Sequence, residues 1–179
     1  AVYKRQVLTN YPESDWVPYC MFSLGNSSLS AGDTTRAEVA LQDFLQAYPR
    51  NKWSPDAHML LSSISFRQKN HEQAILIFEN FTERFPDNLD SDNAFYWIGR
   101  SHLELNDLKK AETAFRTVLR YYEHRPTSQG YKTPDVIYML GKLQEKQNLD
   151  QQAAYYFGEV IKRFPGSAAA SNAKRDMDR

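Results

Sequence analysis

One feature dominates this sequence: a repeat of 37 residues. An aromatic residue followed by Pro occurs at Tyr11-Pro12, Tyr48-Pro49, Phe85-Pro86 and Phe164-Pro165. The first three are 37 residues apart, and the last gap of 79 holds two such periods and five extra residues. Four more columns share the register. A small residue stands at Gly25, Ser62, Gly99 and Gly141, and twelve residues later comes alanine, at Ala37, Ala74, Ala111 and Ala153. Leu41, Phe78, Phe115 and Phe157 follow at four, and Phe44, Phe81, Val118 and Val160 three further on. A period of a few tens of residues marks a stacked array, because a single unit cannot bury its own apolar faces.

Within each period the apolar spacing is three and four, so the units are helical. In the third, Ala94, Phe95, Ile98 and His102 stripe a first helix, and Ala111, Phe115, Val118 and Leu119 stripe a second. Ser54-Pro55 and Thr133-Pro134 read as a capping residue followed by Pro at the first helical position. Asp33, Asn70, Asp107 and Asn148 read as the turn between the two helices, where short polar side chains bond nearby backbone. The alanines read as the close crossing of the two helices, with the Gly/Ser column as the small surface facing them. Trp16 and Trp53 read as staples that pack on the first turn of their own helices.

Composition narrows the partners. The 179 residues carry 22 Lys plus Arg and 22 Asp plus Glu, a net charge of zero. Residues 1–89 hold 8 bases and 10 acids, and 90–179 hold 14 and 12. A nucleic-acid partner calls for a basic excess that is absent. No apolar run approaches the ~20 residues of a membrane span. The single cysteine, Cys20, sits at a core column and reads as a small apolar residue. His58, His71, His102 and His124 lack the spacing of metal ligands, and His102 falls on an apolar face. Asp90, Asp92 and Glu104 read as solvated or capping carboxylates. No phosphate loop and no nucleophile–base pair stands out, so neither cofactor, metal nor catalysis is expected.

The columns Leu-Gly, alanine twelve later, Phe four after that and a closing Pro resemble the tetratricopeptide repeat (TPR). The resemblance implies an all-α, right-handed superhelical solenoid of antiparallel helix pairs. Its repeats would be 18–54, 55–91, 92–133 with a five-residue insertion, and 134–167. Residues 1–17 would be the second helix of a preceding repeat and a linker, and 168–179 a capping helix. That start in mid-repeat leads us to expect upstream sequence, with room for a signal peptide or lipid anchor. The closing phrases Ala-Tyr-Pro-Arg-Asn at 47–51, Arg-Phe-Pro-Asp-Asn at 84–88 and Arg-Phe-Pro-Gly-Ser at 163–167 are similar to bacterial cell-envelope repeats. These are the Tol–Pal-system coordinator of cell division and, next, the lipoprotein subunit of the outer-membrane β-barrel assembly machine. Residues 150–175 look most like the coordinator. The coordinator's trimerising heptads are missing, so its oligomeric state does not carry over.

In the TPR family, ligand contacts come from the concave face of the first helices. Carried over residue by residue, this implies a protein-binding groove of Tyr19, Phe22, Asn26, Met59, Tyr96, Arg100, Tyr138 and Lys142. Aromatic, Met and Arg side chains suit an apolar peptide, extended or helical. Phe22 and Met59 stand where a carboxylate-clamping member would want Lys. The groove would carry its basic residues, Arg100 and Lys142, toward one end. A second candidate is the insertion, 123–132, with Pro126, Gly130 and Tyr131; length change in a turn is cheap, and no role is assigned to it. The function expected is a non-catalytic scaffold for an envelope protein or peptide, periplasmic or on the periplasmic face of the outer membrane. The alternatives are a cytosolic adaptor or secretion chaperone, and the interaction region of a larger enzyme.

Overall fold

A computed structural model describes residues 2–88, 90–124 and 132–178, and of 2–5 and 122–124 the backbone only. Among the described residues there are ten α-helices and no strand. They are α1 (Val2–Asn10), α2 (Val17–Ser30), α3 (Thr34–Ala47), α4 (Ser54–Arg67), α5 (His71–Arg84), α6 (Ser91–Glu104), α7 (Leu108–His124), α8 (Thr133–Lys146), α9 (Asp150–Arg163) and α10 (Ala168–Met177). The fold is all-α and made of TPR helix pairs. It divides into two compact units, Ala1–Asn88 and Leu89–Arg179. In the first, α2 pairs with α3 and α4 with α5, while α1 packs on α2 and α3 on α4. In the second, α6 pairs with α7 and α8 with α9, while α7 packs on α8 and α10 lies against both α9 and α8.

The turn between paired helices works by two adjacent columns. Gly32, Lys69, Asn106 and Asn148 all take left-handed backbone, with φ of 81°, 63°, 60° and 58°. That conformation is costly for residues other than Gly, Asn and Asp, so the tight reversal itself demands it. The following residue caps the second helix. The side chains of Asp33, Asn70 and Asp107 accept from the amides of Arg36, Gln73 and Lys110 at 3.1, 3.4 and 3.2 Å. Asn148 lies in the turn, as expected from sequence, but in the left-handed column and not the capping one. The capping slot of the last pair is Leu149, which has no side-chain cap.

The helix starts also differ from expectation. Ser54 and Thr133 lie inside their helices and are buried. Trp53 and Lys132 precede those helices, and neither makes a side-chain cap. The Ser54 hydroxyl instead donates back to the carbonyl of Tyr48 at 2.6 Å, tying the α4–α5 pair to the end of the pair before it. The aromatic before each closing Pro ends its helix. The amides of Tyr48, Phe85 and Phe164 donate to Phe44, Phe81 and Val160, and the Pro that follows has no N–H to continue the ladder.

The core is built by the repeat columns. Ala37, Ala74 and Ala111 have no exposed surface, and neither have Leu41, Phe44, Phe81 and Phe115. The small column faces the large one, not the alanines alone. A Cβ added at Gly99 would stand 2.6 Å from the Phe115 ring, and one at Gly141 2.5 Å from Phe157. At Gly25 it would stand 2.7 Å from Leu41, with the Ala37 carbonyl 3.4 Å away. So the glycines make room for a ring or a leucine, and the alanines let the backbones close around it. Cys20 and His102 are buried, in keeping with their columns. Asp92 is buried too, so of its two readings, solvated or capping, the first does not hold; burial raises its pKa, against the pull of the Asn93 amide that its Oδ1 accepts from at 2.7 Å.

This geometry separates two glycines of the last pair. Gly141→Ala forces the Phe157 ring to move and is expected to cost roughly 1–3 kcal/mol. Nothing lies within 4 Å of a Cβ at Gly158, so Gly158→Ala gains helix propensity and stabilises by up to about 1 kcal/mol. Denaturant titration of both variants checks the contrast, and equal effects contradict it.

His58 gives a pH test. Burial against Phe81 and Phe85, and then the charge of Arg84, push its pKa down to about 4. The unfolded chain takes up this proton near 6.5. The associated stability is therefore complete above about 6.5 and falls as the pH drops toward 4. Between pH 7 and 4.5 the melting temperature should fall less in His58→Leu than in the wild type; parallel pH profiles would contradict this.

Candidate functional site

The Gly/Ser column also sets which way each first helix presents its other residues. A helix turns about 100° per residue, so positions six before, three before and one after the small residue lie about 120°, 60° and 100° around the axis on one side. Tyr19, Phe22 and Asn26 hold these places about Gly25. Tyr96 and Arg100 hold the last two about Gly99, Tyr138 and Lys142 about Gly141, and Met59 the middle one about Ser62. The residue at 60° should be the most buried of the three.

In the first unit that order holds. Tyr19 is 38 % exposed and Asn26 is exposed, while Phe22 is 9 % exposed and part of the core with Leu41 and Phe44. Met59 is half-buried. The structure brings Tyr19 and Phe22 together through Trp53, whose ring lies 5.1 Å from Tyr19 and stacks on Phe22 at 6.3 Å with 8° between the planes. Trp53 thus packs on the preceding helix pair, and not simply on its own first turn. The Lys52 ammonium covers it at 4.3 Å from the ring centre. Trp16 is 65 % exposed and meets Tyr19 edge-on at 6.1 Å. Trp16, Tyr19 and Trp53 form an aromatic ledge along the starts of α2 and α4, with Asn26 two turns along α2. Its signal in the sequence was the recurrence of Trp at 37 residues.

In the second unit the four residues form two separate clusters. Tyr96 is buried, 5 % exposed, in the core with Phe115 and Val118. Its hydroxyl accepts from Arg100 Nη1 at 3.1 Å. The guanidinium lies 5.9 Å from the Tyr96 ring and 5.6 Å from Trp97, and Lys132 Nζ lies 4.9 Å from Tyr96. Tyr96 therefore holds Arg100 in place by a hydrogen bond and ring contact. Tyr138 and Lys142 are half-buried and both engage Asp176 of α10. Lys142 also pairs with Glu145. Burial works against the ammonium, but Glu145 and Asp176 more than offset it and hold the pKa of Lys142 above the ordinary value. The basic end expected of the groove is in this way neutralised at Lys142. Nothing in the repeat pattern pointed to Asp176, which lies beyond the repeats.

Two further features complete the picture. The first unit holds an apolar cleft of about 430 Å³ beside α1, floored by Leu8, Met21, Leu24, Val39 and Ala40. Ala40 shares a column with Ile77, which is buried in its own pair, so the shorter side chain leaves space there. Among the described residues no group of three or more His, Cys, Asp or Glu could hold a metal ion, and no helix is long and apolar enough to cross a membrane. Residues 125–131 of the insertion, with Pro126, Gly130 and Tyr131, lie outside the described residues.

The two Trp residues are expected to behave differently. Trp53→Ala removes a half-buried ring between two pairs and should cost about 2 kcal/mol, below the range for fully buried aromatics. Trp16→Ala should stay within ~0.5 kcal/mol, as for an exposed side chain. Urea midpoints of the two variants decide it, and a Trp16→Ala loss as large as that of Trp53→Ala would contradict the assignment.

Solved structures share the fold. MamA from Desulfovibrio magneticus RS-1, from its residue 41 to its end, superposes with a TM-score of 0.72 at 16% identity, covering 93% of this chain and 85% of that one. A tetratricopeptide repeat protein from Parabacteroides merdae gives 0.71 at 16% identity, with 88% and 57% covered. The apo form of RapI gives 0.82 at 14% identity, with 97% and 51% covered. At these identities the likeness is one of fold. A comparison with curated protein sequences finds no match. The family model described as YfiO, outer membrane lipoprotein, matches residues 14–179. The chain belongs to the YfiO outer membrane lipoprotein family.

Proposed function

We propose that this protein is a TPR scaffold of the bacterial envelope that works at the periplasmic face of the outer membrane and binds a protein or peptide on its first-helix faces. The observation that carries this reading is the aromatic ledge of Trp16, Tyr19 and Trp53. Large aromatic side chains left in water, as Trp16 and the ligand-position Tyr19 are, are typical of binding hot spots, which gain most when a partner removes them from solvent. Family membership supports the location and a protein partner. It also favours the role of the β-barrel assembly lipoprotein over that of the cell-division coordinator, since the match runs through nearly the whole chain.

Of the eight residues, Tyr19, Asn26 and Arg100 are the ones through which a ligand gains contact without rearranging the core. Met59 supplies a soft apolar wall. Phe22 and Tyr96 act from beneath, by supporting Trp53 and Arg100. Tyr138 and Lys142 are engaged by α10, and their availability depends on that helix.

The test is capture of partners from a detergent extract of outer membranes, with the chain as bait. Tyr19→Ala combined with Asn26→Ala should reduce recovery of a specific partner at least fivefold while the circular dichroism stays unchanged and the chain remains folded at the assay temperature. Equal recovery with the folded double variant, or a partner recovered only from cytosol, would overturn the proposal.

A further inference from the structure

The last helix places a carboxylate on two of the proposed ligand residues. The Tyr138 hydroxyl donates to Asp176 Oδ2 at 2.8 Å, and Lys142 Nζ lies 3.3 Å from the same oxygen. The Asp176 side chain is 7 % exposed. Its burial works against ionisation, but the Tyr138 hydroxyl and the Lys142 ammonium outweigh this and hold the carboxyl below its ordinary pKa. Around that polar contact, every buried side chain of α10 is an alanine: Ala169, Ala170 and Ala173. Ala169 and Ala173 rest on Ile137, Phe157 and Val160, while Met177 is half exposed. Ala169, Ala173 and Asp176 follow the i, i+4, i+7 spacing of one helix face. The Ser167 hydroxyl oxygen accepts from the Ala170 amide at 3.0 Å, so the helix carries its own N-terminal cap.

Three methyl groups and one carboxylate make a shallow seat. The α8–α9 pair is locked by the Phe157 ring over Gly141, whereas α10 has no large apolar side chain buried against its neighbours. Elements that bury few large apolar side chains are the ones that open locally ahead of the core around them.

We propose that the face of α8 bearing Tyr138 and Lys142 is a receptor for a helix with a small-residue face and one carboxylate, and that α10 is its resident occupant, displaced by a partner helix of the same chemistry. The inference rests on reading α8 as a ligand face. The partner is defined by the pattern Ala-x-x-x-Ala-x-x-Asp or Glu, with small residues wherever α10 has alanine. A larger apolar residue there would meet the α9 surface that α10 touches only with methyl groups. An acid is required because its replacement would leave the Tyr138 hydroxyl and the Lys142 ammonium half-buried with one partner fewer.

The test uses this chain's own helix, so its outcome is independent of partner capture: the peptide can bind even where no envelope partner is found. A fluorescein-labelled peptide of residues 166–179 is titrated into the full chain and followed by anisotropy. The apparent affinity scales with the fraction of chains whose site is vacant. Asp176→Ala in the chain should therefore bind the peptide at least fivefold more tightly than the wild type. Replacing the peptide's own Asp176 by Asn should weaken binding to that variant at least fivefold. Tyr138→Phe with Lys142→Ala, added to the variant chain, should remove the gain. Equal affinity of wild type and Asp176→Ala, indifference to the peptide carboxylate, or no binding at all overturns the proposal. If the Asp176→Ala chain does not fold, amide exchange of the wild type decides: α10 should exchange at least tenfold faster than α9, and equal rates overturn it.

Discussion

The contact between a small residue on the first helix and a large one on the second is the constraint on which the rest of this molecule depends. Gly25 on Leu41, Gly99 on Phe115 and Gly141 on Phe157 are spaced too closely for any Cβ. Each contact fixes the distance between paired helices and, equally, the rotation of the first helix about its own axis. Once that rotation is set, the remaining positions have no freedom. The residue three before the glycine turns toward the pair: Phe22 and Tyr96 are drawn into the core, and Tyr138 is half-buried. The residue one after it stays at the surface, as Asn26 does, or half-exposed, as Arg100 and Lys142 are. The packing that holds the pair together also decides which side chains a partner can touch.

Much of this was legible in the sequence because it is written as columns. Helix pairs, their turns and the aromatic-Pro endings follow from spacing alone. The errors came where a column was displaced by one residue. Asn148 lies in the turn, but one residue before the capping column, where the last pair has Leu149 in place of Asp or Asn. Ser54 and Thr133 look like caps because a Pro follows them, but the helix starts one residue earlier and buries them. The family's ligand positions were carried over without their depth. Burial depends on the angle from the glycine, a property of the folded pair that a position number does not contain. Asp176 was out of reach for another reason: the repeat alignment ends before α10, and no periodicity connects it to Tyr138 and Lys142.

The two units use these rules to different ends. In the first, the Trp column at the helix starts is left in water at Trp16, beside Tyr19, and Trp53 ties both to the core. In the second, the corresponding places are Asp90 and Lys132, so polar groups stand there. Arg100 is held by Tyr96 and Trp97, and the α8 face is engaged by the chain's own last helix. A neutral total charge therefore conceals an apolar ledge in one unit and a charged, internally compensated face in the other. On the proposed reading, the first unit would offer a partner aromatic contact, and the second polar groups already paired within the chain.

Site-specific photo-crosslinking in cells tests the central claim, that partners are taken on first-helix faces. A benzophenone side chain placed at Tyr19 or Asn26 on α2 is compared with one placed at Val39 or Leu76, which are more exposed than Tyr19, on the second helices α3 and α5. Defined crosslinked products from the α2 positions and none from α3 or α5 are the predicted result. Products from Val39 and Leu76, with Tyr19 and Asn26 silent, would contradict the account.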